Sequence, residues 1–227
     1  MKVVAIIPAG GKGTRSGSAT PKQYLKFNGK ELIVYPLQTF QKCRFINEIV
    51  IAADPNYFST LEKIVKKYKL TKILKIVKGG KKRQDSVFNA LNSISLNEKD
   101  LVVVHDAARA LLPLQTLNNA IKTAKEKGNA LVCLPAKDTL VRGKSKVETY
   151  VDRKNIFYVQ TPQIFKFGTL KKAMQKAKKD KFLGTDESML VKRIGEKINI
   201  VEGASINFKI TTKEDIEIVK KLLKFES

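Results

Sequence analysis

The sequence has 227 residues, 43% of them hydrophobic, enough for one sizeable domain and too apolar for a disordered chain. No apolar run reaches the roughly 18–20 residues of a membrane helix, and a single histidine cannot build a multi-histidine metal site. The net charge of +23 raises nucleic acid as a partner. Most of the excess is lysine, spread along helix-like stretches such as 62–69 and 171–181, and this reads as a solvated surface that also steers anionic substrates.

In chain order, the first element is a strand, Val3 to Ile7. It is only one strand long and runs straight into Pro8-Ala9-Gly10-Gly11, which makes it a poor secretory signal. Further strands are predicted over 48–52, 73–77, 101–105, 130–135, 157–160 and 198–201. Helices are predicted over 33–42, 59–67, 84–93, 113–127, 166–179, 186–193 and 212–223. This alternation predicts an α/β fold with three layers and a mostly parallel sheet. Ligands of such sheets bind outside the carboxyl ends of the strands. Residues 137–153 break the rhythm: they are polar, carry Arg142-Gly143-Lys144-Ser145-Lys146 as a turn signal, and place Thr139, Val141, Val147 and Val151 on two short strands. A lone hairpin is marginal in water, so a second subunit is the natural surface for it. The expected organisation is one domain over 1–227, with 137–153 a β-arm used in dimerisation. Cys43 and Cys133 lie far apart with no metal-ligand spacing, as expected of buried thiols in the reducing cytoplasm.

The strongest chemical signal is Pro8-Ala9-Gly10-Gly11-Lys12-Gly13-Thr14-Arg15, followed by Pro21-Lys22-Gln23. Glycines let the backbone approach a phosphate and turn N–H groups toward it, and Arg15 and Lys22 add two cations. Gly13 follows Lys12 where a Walker loop needs Ser or Thr, and Ser16 stands where a dinucleotide loop needs its third glycine. Arginine is scarce, seven in all, yet Arg15, Arg83, Arg109 and Arg153 fall within motifs, where a planar forked cation has a purpose. Asp106, at the end of the most apolar strand, can face a metal or a hydroxyl. His105 beside it reads as packed or hydrogen-bonded. Ser86 is either a ligand-facing hydroxyl or a helix N-terminal cap, and Thr211-Thr212-Lys213-Glu214-Asp215 reads as a capping box.

Pro-Ala-Gly-Gly-x-Gly-x-Arg followed by Pro-Lys-Gln resembles the signature of the sugar-nucleotide pyrophosphorylase superfamily. Within it, the chain looks like the cytidylyltransferases that act on 2-C-methyl-D-erythritol 4-phosphate in isoprenoid-precursor synthesis. The same order of segments continues through Gly79-Gly80-Lys81-Lys82-Arg83-Gln84-Asp85-Ser86, His105-Asp106-Ala107-Ala108-Arg109, Asp138-Thr139, Val151-Asp152-Arg153, Thr161-Pro162-Gln163, Thr185-Asp186-Glu187 and Asn207-Phe208-Lys209-Ile210-Thr211. The resemblance implies CTP and a polyol phosphate as substrates, Mg²⁺ or another divalent cation as cofactor, a homodimer, and neither membrane nor nucleic acid as partner. It implies catalytic roles for Arg15, Lys22, Arg153 and Lys209. Nucleotide binding would fall to Pro8, Ala9, Gly10, Gly11, Gly13, Gly80, Arg83 and Ser86. Acceptor binding would fall to Asp106, Arg109, Thr139, Thr161 and Thr185, with Asp106 also a candidate metal ligand. The chain departs from the pattern at Lys81 and Lys82, where relatives often carry acids, at Ala110, commonly proline, and at Ile206, an acid in some relatives.

The implied reaction suits a sequence with one histidine. Its nucleophile is a phosphate monoester with a second pKa of about 6, already dianionic at neutral pH and needing no general base. The protein then positions reactants and stabilises charge. A ribitol 5-phosphate cytidylyltransferase is the near alternative. A nucleic-acid-binding module ranks below it, because it does not explain glycines, scarce arginines and lone acids gathered at strand ends, and so does a dinucleotide-dependent oxidoreductase, which would need a glycine near position 16.

Overall fold

The computed structural model describes residues 1–11 and 20–224. Its strands are β1 (Val3–Pro8), β2 (Lys26–Phe27), β3 (Lys30–Glu31), β4 (Glu48–Ala53), β5 (Ile73–Lys78), β6 (Leu101–Val104), β7 (Asn129–Pro135), β8 (Leu140–Gly143), β9 (Val147–Val151), β10 (Phe157–Lys166) and β11 (Ile200–Glu202). Its helices are α1 (Val34–Lys42), α2 (Phe58–Lys67), α3 (Arg83–Asn92), α4 (Leu114–Lys127), α5 (Phe167–Lys179), α6 (Glu187–Arg193) and α7 (Lys213–Lys224).

Seven strands form one sheet in the order β11-β7-β10-β6-β1-β4-β5. All pairings are parallel except those of β10, which runs antiparallel to both β6 and β7. The central strands are continuous apolar runs because both faces are covered. Val3, Ala5 and Ile7 point to the layer of α1, α2 and α4, while Val4 and Ile6 point to that of α3, α5 and α6. Each fully buried Val or Ile among them contributes roughly 1.5–3 kcal/mol. The three-layer, mostly parallel arrangement expected from the β-α alternation is what forms.

Two differences from the sequence reading have physical reasons. The strand predicted over 157–160 continues to Lys166, and the register shifts between Val159 and Gln163. This irregularity lets Pro162, which has no N–H for the ladder, sit inside a strand. The hairpin β2–β3 is absent from the predicted elements, although its turn is Asn28-Gly29, with φ of 47° and 76°. That dipeptide supplies the two positive φ values a two-residue hairpin turn needs. The hairpin packs with α7 in a small third core around Phe27, Leu32, Val219 and Leu223. At the start of α7 the capping box is present: the Asp215 N–H donates to Thr212 Oγ1 at 3.2 Å, and Asp215 Oδ2 accepts from the Thr212 N–H at 2.8 Å.

Residues 137–153 contain the expected hairpin, β8 paired with β9. It exposes Val141, Val147 and Tyr150, the last at 72%. Because β1, β4, β5 and β6 are mutually parallel, the loops at residues 9–11, 79–82 and 105–109 leave the sheet at one end. No helix among the described residues is long and apolar enough to cross a membrane.

Candidate active site

At this end of the sheet the loops are fixed by their own backbone. The Ala9 N–H donates to Ala52 O at 2.7 Å, and the Gly79 N–H to Ala53 O at 2.8 Å. Gln23 Nε2 donates to the carbonyls of Ala9 and Gly11 at 2.7 and 2.9 Å, clamping the glycine loop from the side. Ser86 Oγ accepts from the Gly80 N–H at 3.0 Å and donates to Lys82 O at 3.1 Å. Ser86 therefore holds the second loop from within the first turn of α3. The reach-back to the helix start comes instead from Asp85, whose carboxylate accepts from the Lys82 N–H at 3.1 Å.

These loops enclose a cleft of about 350 Å³ lined by residues 8–11, 80–83 and 106–108 together with Lys22, Ser86 and Lys209. The structure thus brings together most of the candidate nucleotide residues with Lys22, Asp106 and Lys209. Gly13 and Arg15 lie outside the described residues. Lys22 Nζ reaches Ile210 O at 2.5 Å, joining the start of the fold to the segment that carries Lys209.

Electrostatically the cleft is a chain of alternating charges. Lys209 Nζ lies 2.8 Å from Asp106 Oδ2, Arg83 Nε 2.7 Å from Asp106 Oδ1, and Arg83 Nη1 2.7 Å from Glu187 Oε1. Burial works against the Asp106 charge, yet Arg83 and Lys209 hold its carboxyl well below the usual carboxylate range. Burial likewise disfavours the Arg83 cation, but Glu187 and Asp106 keep it firmly charged. At Glu187 burial dominates and pushes the carboxyl up, against the pull of Arg83. Among the described residues, Asp106 is the only carboxylate lining the cleft, and no group of three or more His, Cys, Asp or Glu could hold a metal ion. A lone carboxylate suits a hard cation that arrives on phosphate oxygens and keeps most of its waters, provided Arg83 or Lys209 releases one Asp106 oxygen to it.

Behind the cleft lies a buried polar network. Thr161 Oγ1 accepts from the Asp106 N–H at 3.1 Å and contacts His105 Nδ1 at 3.1 Å, and His105 Nε2 contacts Arg109 O at 3.1 Å. Arg109 donates to Asn207 O at 2.7 Å and Val159 O at 3.3 Å. Asn207 Nδ2 donates to Thr161 O at 2.8 Å and Gln160 Oε1 at 3.0 Å. Thr161 and Arg109, expected at the acceptor, are thus buried and occupied in fixing the segments that present Asp106 and Lys209. Thr185 lines an adjoining cleft of about 180 Å³ that shares Arg83. Thr139 and Arg153 lie exposed at the base of the arm and do not line the cleft, and Arg153 Nη1 donates to Lys137 O. Gln23, Glu187 and Asn207, which stand within the sequence motifs without an assigned role, hold this geometry from behind.

His105 is fully buried, and burial pushes its imidazole down to about 4. In the unfolded chain it titrates near 6.5. Between these values the unfolded state binds more protons, so stability is lost as pH falls. The expected loss from this group is about 3 kcal/mol once pH reaches 4. Urea unfolding of wild type and His105→Asn between pH 7 and 4 checks this: the variant should lack that share of the acid-dependent loss.

A mostly parallel sheet whose strand ends carry glycine loops, forked and pointed cations and, among the described residues, one cleft carboxylate is the setting of a nucleotidyltransferase, a class that binds and orients phosphates. The family model for 2-C-methyl-D-erythritol 4-phosphate cytidylyltransferase matches residues 3–224. A protein of that name from Clostridium perfringens is 39% identical over 98% of this chain and 99% of its own length. One from Geotalea uraniireducens is 37% identical over 99% of this chain and 97% of its own. The crystal structure of the Thermus thermophilus protein of that name superposes with a TM-score of 0.82 at 29% identity, covering 99% of this chain and all of the other (100%). The chain belongs to the 2-C-methyl-D-erythritol 4-phosphate cytidylyltransferase family.

Proposed function

We propose that this chain transfers the cytidylyl group of CTP to 2-C-methyl-D-erythritol 4-phosphate. A phosphate oxygen of the acceptor forms a bond to the α-phosphorus of CTP. The bond from that phosphorus to the bridging oxygen of the β-phosphate breaks, and the electron pair leaves with pyrophosphate. The products are 4-diphosphocytidyl-2-C-methyl-D-erythritol and pyrophosphate, a step of isoprenoid-precursor synthesis. The observation that carries this reading is the convergence of Lys22, Lys209, Arg83 and Asp106 on a glycine-walled cleft in a chain matched to the family over nearly all its length.

In this reading residues 8–11, 13, 80 and 86 receive the nucleotide, Arg83 borders it while its guanidinium holds Asp106 and Glu187, and Arg15 and Lys22 meet the charge that grows on the α-phosphate oxygens. Lys209 binds the acceptor phosphate, and Asp106 and Thr185 orient its hydroxyls. Thr161 and Arg109 serve by holding Asp106 and the Lys209 segment in place. A divalent cation, Mg²⁺ or a similar ion, would neutralise phosphate charge when bound, with Asp106 the carboxylate facing it. The two buried free thiols suit the reducing cytoplasm. Side-by-side assays with methylerythritol phosphate and ribitol 5-phosphate test the acceptor: preference for ribitol phosphate would keep the mechanism and change the pathway.

Thr139 and Arg153 complete the site of a second copy through the arm, whose exposed Val141, Val147 and Tyr150 favour burial against a partner. Mixing two inactive variants, Lys22→Ala and Arg153→Ala, should then restore activity. Each mixed dimer holds one site with both residues intact, so random reassociation gives roughly a quarter of wild-type turnover. Failure to restore any activity, with dimer exchange verified, would place Arg153 in the site of its own chain or outside it.

A further inference from the structure

Glu187 is a carboxylate with 1% exposure that takes no part in the bond-making and bond-breaking proposed above. Acids are almost never fully buried unless paired, and this one stands at the first position of α6 with one partner, Arg83 Nη1 at 2.7 Å. Its second oxygen and Arg83 Nη2 are both buried with no hydrogen-bond partner. Arg83 stands at the first position of α3 and gives its Nε to Asp106. The link runs from Glu187 to Arg83 to Asp106 to Lys209, each step at 2.7 or 2.8 Å. It ties the first turns of two helices to two residues of the acceptor side.

We infer that Glu187 is a positioning residue for the acceptor, acting through Arg83 to set where Asp106 and Lys209 stand in the cleft; this rests on the functional reading above. A guanidinium held by carboxylates on two sides has one orientation, because its donors form a rigid fork. Without Glu187 the fork is held on the Asp106 side alone and can rotate toward incoming phosphates, leaving Asp106 to Lys209. The nucleotide loop does not depend on Glu187, because Gly80 is held by Ser86 and Lys82 by Asp85, and the Arg83 guanidinium, expected at the nucleotide, is occupied by Asp106 and Glu187 instead. The acceptor should therefore suffer and CTP should not. A displacement of about 1 Å at a reacting partner costs on the order of 10²-fold.

The test compares wild type, Glu187→Gln, Glu187→Asp, Arg83→Gln and the Glu187→Gln/Arg83→Gln double variant, each checked for folding by circular dichroism. The expected result for Glu187→Gln is a loss of about 10²-fold in kcat/KM for methylerythritol phosphate, with KM for CTP within about twofold. Glu187→Asp, which keeps the charge, should recover part of the loss, and it carries the test if Glu187→Gln does not fold. The double variant should be no worse than Arg83→Gln alone, because residues acting through one another are not additive. Unchanged acceptor kinetics in Glu187→Gln, equal losses for CTP and acceptor, or additive losses in the double variant would overturn the assignment while wild-type turnover stands. Wild type without turnover would remove the functional reading and this assignment together.

Discussion

Lys22→Ala should lower kcat by about 10²–10³, the effect of removing one donor from a preorganised oxyanion site. Lys22 lines the cleft, and its ammonium is held at 2.5 Å from Ile210 O, beside the segment that presents Lys209. The α-phosphate oxygens gain negative charge only as the acceptor oxygen bonds to phosphorus, so a cation that meets this charge acts on kcat more than on the KM for CTP. Lys22→Arg should recover little, because a planar fork does not replace a point charge at one carbonyl and one phosphate oxygen. Steady-state kinetics in both substrates check this. A raised KM for CTP with kcat unchanged would make Lys22 an ordinary nucleotide-binding residue.

Gly80→Ala should disable the second loop. A Cβ at position 80 would stand 2.1 Å from Asp85 Cβ and 3.0 Å from the Asp85 carbonyl carbon. Those atoms belong to the first turn of α3, so no flexible side-chain end can give way. The loop must shift, at a cost of about 1–3 kcal/mol of overpacking, and the Gly80 N–H would leave Ser86 Oγ. The same shift moves the wall of the nucleotide cleft, and kcat/KM for CTP should fall by about 10²-fold. Gly11→Ala is the stability control, since a Cβ there meets nothing within 4 Å. Urea midpoints and CTP kinetics measured together check both changes; full stability with full CTP affinity in Gly80→Ala would show that the loop has room which the packing denies it.

The sheet and the elements around the cleft were legible because their signals are local. Val3 to Ile7 is continuous and apolar, and a glycine run at its end has few other uses. The arm was legible as a polar stretch with a turn signal and alternating valines. Strand β10 was read short because Pro162 looks like a terminator, and only the shifted pairing with β7 makes it tolerable. Hairpin β2–β3 escaped although Asn28-Gly29 announces it, because strands of two residues carry no periodicity. In the site, Lys22, Asp106 and Lys209 were named from their motifs and meet in space. The positions of Thr161 and Arg109 were not legible in the same way. A hydroxyl or guanidinium in a motif looks alike whether it faces a ligand or holds a backbone, and here both hold backbone groups. Glu187 was the least visible, since an acid in the first turn of a helix has an ordinary explanation in the helix dipole. Only the distance to Arg83, across 104 positions of sequence, separates it from that explanation.

The most direct measurement is pyrophosphate release by the purified protein with Mg²⁺. CTP, UTP, ATP and GTP are each paired with methylerythritol phosphate and with ribitol phosphate, and Arg15→Ala is run alongside. Release confined to CTP with methylerythritol phosphate, and lost in Arg15→Ala, is the predicted result. No release from any pair by a folded protein would contradict the cytidylyltransferase reading and leave the cation-lined cleft to another anionic ligand.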